Sequence, residues 1–151
     1  MFGVPGTDFG DFLEKRFPAH AWGLLCAESR PYEMVLSDKL QELVTRGYET
    51  TLISDNMIGF CLSQKKADLV LIYYHRLRET FADCQGGSLL TAVLANELGV
   101  PCCLCPTNCT MPADDSHDPL SFAGHEIVPK GVKSFLPPIE KVPLRYVSET
   151  W

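Results

Sequence analysis

The apolar run 69–74, in the stretch DLVLIYYHRL, stops abruptly at His75 and Arg76. It is too short for an independent helix and rich in branched and aromatic side chains, so it reads as a strand buried on both faces. Such a strand needs cover on each side, and its neighbours in sequence supply it. AWGLLCAES (21–29), TTLIS (50–54), DLVLIYY (68–74) and VPCCLCP (100–106) are strand-like, with helix-like stretches between them. Within 34–46, Leu36, Leu40, Leu43 and Val44 share one helical face, and Gly47 stands where a left-handed cap closes a helix. Ser54 or Asp55 offers a capping oxygen to a helix over about 56–64. QGGSLLTAVLANELG (85–99) is a further helix closed by Gly99. Ahead of them all, Phe9, Phe12, Leu13 and Phe17 make a short amphipathic helix that covers the first strand.

Strands joined through single helices need crossover connections, which place a parallel sheet between two helical layers. The predicted fold class is therefore α/β: a three-layer α/β/α sandwich, one domain over residues 1–151. From Pro106 onward the texture changes to an irregular proline-rich C-terminal segment. Prolines bar it from a central strand and leave room for an edge strand or two. The helix over 85–99 scatters Thr91, Asn96 and Glu97 around its axis, so it needs cover on more than one side. Either the proline-rich tail or a second copy of the chain can provide it, and the latter predicts a homodimer.

Charge and cysteine usage narrow the function classes. A net charge of −6 without a basic block argues against nucleic acid as a partner. No apolar run is long enough to cross a bilayer, and the first residues lack the pattern of a secretory signal. A cytoplasmic chain with no membrane partner is expected. Seven cysteines without an export signal read as reduced thiols rather than a disulfide framework. Cys102, Cys103, Cys105 and Cys109, with His117 and His125 downstream, raise the question of a metal. No Cys-x-x-Cys pair exists and the spacing fits no structural zinc pattern. They are expected to be small core residues, Cys103 and Cys105 on one face of a strand and Cys102 on the other. No metal and no cofactor are predicted. A Gly-rich dinucleotide turn and a Walker A sequence are both missing. QGGS ahead of a helix is a weak anion cradle, and the same glycines serve equally to relax a turn.

Ligands of open α/β sheets sit beyond the carboxyl ends of the strands, where four segments carry a resemblance. CAESRP (26–31), LISDNM (52–57), LIYYHRL (71–77) with QGGSLLTAVLANELGVP (85–101), and SFLPPIEKV (134–142) occur in that order. They resemble the C-terminal domain shared by methylthioribose-1-phosphate isomerase, ribose-1,5-bisphosphate isomerase and the regulatory subunits of translation initiation factor 2B. The likeness runs from about Phe9 to Val147. It implies a Rossmann-like sheet and association through this domain, usually as dimers.

The same resemblance supplies candidate site residues and exposes departures. Glu28, Arg30 and Pro31 match the family's Glu-x-Arg-Pro element, with Arg30 able to grip a phosphate, and Asp55 and Asn56 match the acidic turn after the second strand. Tyr73, Tyr74, His75 and Arg76 stand where the isomerases carry Gly-Ala-Asp-Arg, so His75 replaces a catalytic aspartate. The family's phosphate-holding Asn-Lys pair falls near Cys84 and Gln85, which removes the lysine. Its catalytic cysteine and helical N-terminal domain are expected to lie ahead of this chain. His75 is a strand-end histidine bonded to backbone, a ligand contact or a proton shuttle. Cys84 is read as a loop thiol near helix amides that lower its pKa.

Three functions follow as expectations. The first is a non-catalytic domain binding a phosphorylated sugar or nucleotide through Glu28, Arg30, Asp55, Asn56, His75, Arg76, Gln85, Gly86, Gly87 and Ser88. The second is an assembly module that dimerises and meets an unidentified partner protein. The third is an active sugar-phosphate isomerase using His75 or Cys84.

Overall fold

The doubly buried strand is the axis of the molecule. The computed structural model describes residues 1–3, 5–6, 8–30, 33–108, 121–122, 125–133, 135 and 137–151, with backbone alone at 33–37, 121–122 and 125–126. Its elements are α1 (Phe9–Arg16), β1 (Gly23–Ala27), α2 (Glu33–Thr45), β2 (Glu49–Ile53), α3 (Ile58–Ser63), β3 (Val70–Leu77), β4 (Phe81–Gln85), α4 (Ser88–Glu97) and β5 (Cys102–Pro106). β6 (Ser121–Phe122), β7 (His125–Glu126), β8 (Ile139–Pro143) and β9 (Glu149–Thr150) follow. β3 pairs in parallel with β5, from Val70 opposite Cys102 to Tyr74 opposite Pro106. The five-stranded sheet has the order β8-β4-β3-β5-β9, and β1 and β2 form a parallel pair of their own.

The first residues join the two sheets. Met1 donates its amine to Leu25 O at 2.6 Å, and Ala27 N–H donates to Met1 O at 3.0 Å. Phe2 then donates its N–H to Leu71 O at 2.9 Å and bridges in parallel to Ile72. β1, β2, β3 and β5 therefore point their carboxyl ends to one edge.

Alternation along the strands sorts side chains into two cores. Leu71, Tyr73, Cys103 and Cys105 pack with Cys26 of β1, Phe9 and Leu13 of α1 and Leu43 of α2. Ile72, Cys102 and Leu104 pack with Leu62 of α3 and Ala92 and Ala95 of α4. This is the three-layer arrangement, and the cysteines divide between the faces as their spacing predicts. Val44 departs from its expected face and is exposed; the side chain of Leu36 lies outside the described ones. Gly47 adopts the left-handed φ of 88° that closes α2.

One feature corrects the sequence reading, and the tail behaves as expected. β3 does not stop at His75; it runs on to Leu77 and folds back as β4, an antiparallel partner that the apolar pattern does not reveal. The turn between them, closed by Arg78 N–H donating to Phe81 O at 2.8 Å, contains no glycine, proline or asparagine to signal it. The proline-rich tail supplies two edge strands, β8 antiparallel to β4 and β9 parallel to β5. β8 and the 3-10 turn Leu144–Tyr146 pack on α4, so the tail provides part of that helix's second cover. Leu90 of α4 and Leu98 just after it stay exposed.

Burial pushes the thiols of Cys84, Cys102 and Cys105 up to about 12 from an ordinary value near 9. An acid whose folded pKa is raised contributes stability that is complete below its unfolded pKa and lost as pH rises toward the folded one. The melting temperature should therefore fall between about pH 9 and 12 in anaerobic, reducing buffer. A Cys102→Ala variant should show a shallower fall by circular dichroism.

Candidate functional site

The loop after β1 is held from two directions. Ser29 takes a left-handed φ of 55°, which turns successive amides the same way. Asp55, from the 3-10 turn after β2, accepts both: Ser29 N–H to Oδ1 at 2.8 Å and Arg30 N–H to Oδ2 at 3.0 Å. Gln85, at the end of β4, donates Nε2 to Ser29 O at 2.9 Å and Arg30 O at 3.2 Å. Ser29 Oγ accepts from Gly3 N–H at 3.0 Å and donates to Ala27 O at 3.2 Å. Three strand ends are thus tied to the backbone beneath Arg30. The Arg30 guanidinium meets Glu28 Oε2 at 3.2 Å, and its side chain remains 45% exposed.

This geometry revises the role of the residues after β2. Neither Ser54 nor Asp55 caps the following helix with its side chain. The Asp55 carboxylate reaches back across the sheet edge instead. Ser54 Oγ donates to Asn56 Oδ1 at 2.6 Å, and Asn56 is exposed.

His75 occupies a β-bulge. Tyr74 faces Cys84 and Arg76 faces Asp83, so one residue of β4 answers two of β3. Pairing with β5 ends at Tyr74, which places His75 just past the parallel sheet. Bulges re-aim side chains and gather beside active sites. His75 is half-buried and Arg76 exposed. Cys84 contradicts its expected setting: it lies in a strand and is fully buried, and burial with the nearby Glu140 charge pushes its thiol up to about 12. A thiol held neutral this way is inert, not activated.

Gly86 and Gly87 lead from β4 into α4. Gly86 N–H donates to Pro138 O at 3.1 Å, and Gly87 takes a left-handed φ of 97° beside the Phe2 ring. The weak anion cradle is already served, because Glu140 of β8 accepts Leu89 N–H on Oε1 at 2.8 Å. Ser88 is buried at the start of the helix.

Glu28, Arg30, Asp55 and Gln85 are thus brought into one bonded network, with Gly86, Gly87 and Ser88 continuing from it. His75 and Arg76 stand on the adjoining hairpin. Pro31, Cys109 and His117 lie outside the described residues, as does the side chain of His125. Among the described residues no three His, Cys, Asp or Glu groups converge as metal ligands. Sequence reasoning missed Ser29 and Glu140, although both sit inside the quoted segments CAESRP and SFLPPIEKV. It also missed a cavity of about 300 Å³ at the same sheet edge, lined by Asp8, Phe9, Phe12, Pro106, Thr107 and Asn108. Thr107 and Asn108 directly follow a strand, so the carboxyl-end rule was the available signal.

Two outcomes test this description. Asp55→Ala should lower the unfolding free energy in urea by about 1–3 kcal/mol, the cost of stranding hydrogen bonds to a charged group. In a Cys109→Ser background the six remaining thiols, all buried, should react with a disulfide reagent only after denaturant is added.

The chain is similar to methylthioribose-1-phosphate isomerase 1 of Pseudothermotoga lettingae, with 31% identity over 124 residues, 73% of this chain and 36% of that protein. It is 28% identical to methylthioribose-1-phosphate isomerase of Thermus thermophilus over 157 residues, 95% of this chain and 47% of that one. In fold it is similar to 5-methylthioribose 1-phosphate isomerase from Pyrococcus horikoshii OT3. The TM-score is 0.81 at 18% identity, covering 99% of this chain and 48% of that one. Subunit delta of translation initiation factor eIF-2B from A. fulgidus gives a TM-score of 0.74 at 20% identity, with 85% and 41% covered. The chain spans less than half the length of each of these four proteins. Residues 12–148 match the Initiation factor 2 subunit family, and the chain belongs to that family.

Proposed function

We propose that residues 1–151 act as one initiation factor 2B-like domain that binds a phosphorylated sugar or nucleotide at the carboxyl ends of its strands. In this reading it serves as a dimeric regulatory or assembly protein of the cytoplasm, without turnover. The observation that carries the proposal is the placement of Arg30. Two amides on Asp55 and two carbonyls on Gln85 fix the Ser29–Arg30 backbone, while the Arg30 side chain, paired with Glu28, is 45% exposed at that edge. No helix among the described residues is long and apolar enough to cross a membrane.

Absence of turnover rests on the proton chemistry. Moving a carbonyl between neighbouring carbons of a sugar takes a base and an acid within reach of the substrate. The Cys84 thiol is buried and held neutral. The Asp55 carboxylate is committed to two amides and Glu28 to Arg30. Support for a dimer comes from Met57, Phe60, Leu90 and Leu98, exposed apolar residues of α3, α4, the turn before α3 and the residue that follows α4. The His75 bulge supports a second reading, an isomerase using that imidazole.

The test is a thermal-shift titration against pentose 1-phosphates, pentose bisphosphates and nucleoside monophosphates. The relatives named for methylthioribose 1-phosphate set the first compounds. At a hundred times its dissociation constant a native-state ligand adds about 2.7 kcal/mol, or roughly 5–11 °C for a domain of this size. Arg30→Ala should abolish that shift. A flat panel would refute ligand binding. Turnover of any pentose 1-phosphate that disappears in His75→Ala would establish the second reading instead.

A further inference from the structure

Met1 and Phe2 lie between β1 and β3 as a short extended strand. Met1 bonds to β1 on one side, and Phe2 bonds to β3 on the other. Paired strands stand about 4.8 Å apart, so β1 and β3 are separated here by the width of one strand. Both continue upstream of Met1, β1 back to Gly23 and β3 back to Val70. Between those upstream parts is a cavity of about 100 Å³, lined by Met1, Leu24, Leu25, Leu69 and Leu71. Gly23 and Asp68, which also line it, are exposed, so its outer end is open to solvent.

Backbone alternation decides what faces this gap. At the end of β1, Glu28 N–H bonds to Ile53 O of β2, whereas Leu25 O and Ala27 N–H turn to Met1. In β3, Val70 N–H bonds to Pro101 O and Tyr74 O to Thr107 N–H on the β5 side, whereas Leu71 O turns to Phe2. Leu25 N–H and Leu71 N–H therefore point into the gap from opposite sides, with Gly23 O and Leu69 O one step further out. Neither amide meets an acceptor among the described residues, although buried backbone amides are nearly always paired. Side-chain space alternates too. Met1 packs in the α1 core, and Leu13 and Phe17 of that face also line the cavity. On the opposite face a second cavity of about 40 Å³ is lined by Ile53, Ile58, Leu62 and Val70. Successive residues of an inserted strand would send one side chain to each, the larger toward α1.

Charge sets the direction of that strand. The inner end of the gap is closed by the Met1 amine, which donates to Leu25 O at 2.6 Å. Burial holds the amine below its ordinary pKa, and no carboxylate among the described residues offsets that. A strand parallel to β1 and β3 brings its carboxyl end to this amine, and a free carboxylate there is attracted to it. We propose that the gap between β1 and β3 is an acceptor slot for the carboxyl-terminal end of a partner protein, added as a parallel strand with its terminal carboxylate against Met1. Main-chain bonds to Leu25 and Leu71 supply affinity, and alternating apolar side chains supply selectivity. The slot lies at the amino ends of the strands, opposite Arg30, and is independent of the ligand reading above.

The test is fluorescence anisotropy of the unaltered chain with labelled peptides, joined to hydrogen exchange. The probe is Lys-Thr-Val-Leu-Ala with a free carboxylate. One control ends in a carboxamide, and another carries N-methyl groups on Val and Leu, one toward each strand. The acid should bind and slow exchange at the Leu25 and Leu71 amides. The carboxamide should bind on the order of 10- to 100-fold more weakly, the worth of a hydrogen bond to a charged group, and the N-methylated peptide should not bind. No binding of the acid, equal binding of the N-methylated peptide, or binding that leaves Leu25 and Leu71 exchange unchanged would overturn the slot. Equal affinity of acid and carboxamide would overturn the assignment of a free carboxyl end.

Discussion

The whole arrangement depends on β3 being buried from both sides while its backbone is hydrogen-bonded along both edges. Leu71 and Tyr73 enter one core, and Val70 and Ile72 enter the other. β5 pairs along one edge; Phe2 and then β4 pair along the other. A strand so placed leaves no backbone donor or acceptor for solvent over most of its length, and only apolar side chains suit it. The helices follow from that demand. α1 and α2 cover one face, α3 and α4 the other. Arg46 of the turn after α2 pairs with Asp11 and Glu14 of α1 and with Glu42, holding the first pair together at the surface.

At the carboxyl edge the same principle is applied to polar groups. Three carboxylates there shape the loops. Asp55 organises the β1 loop, Glu140 completes the start of α4, and Glu28 steadies Arg30. Internal carboxylate contacts of this kind make a rigid frame, which favours recognition by reducing the ordering that a ligand must impose. The same contacts commit these three carboxylates to backbone amides and to Arg30.

Much of the layer structure was legible in the sequence because burial leaves a period. The runs in β1, β3 and β5, the alternation of Cys102, Cys103 and Cys105, and the cap at Gly47 all appear where their patterns place them. β4 was not legible: FADCQ offers only Ala82 and Cys84 as small inward residues, and its turn lacks the usual breakers. Missing that strand also misplaced Cys84, which was assigned to the loop before the Gly-Gly turn and lies instead buried in β4. The candidate residues Glu28, Arg30 and Asp55 were named through resemblance, but their contacts were not legible. Whether a carboxylate caps its own helix or reaches across to another strand is decided by tertiary distance, which local spacing does not encode. Ser29 escaped notice for the same reason, as its use lies in a left-handed backbone turn between two recognisable neighbours.

The bond from Leu89 N–H to Glu140 joins groups 51 positions apart in the chain. β8, which carries Glu140, is an edge strand paired on one side only, to β4. Contacts of such long sequence separation carry the entropy cost of closing the loop between them. Edge elements with a single neighbour are also among the first to open in native-state fluctuations. The start of α4 thus becomes complete only when the tail docks. Hydrogen exchange at the Leu89 amide should therefore follow detachment of β8, and exchange in β3 global unfolding. The readiness of this edge to receive anything is set by the least secured strand of the sheet, not by its core.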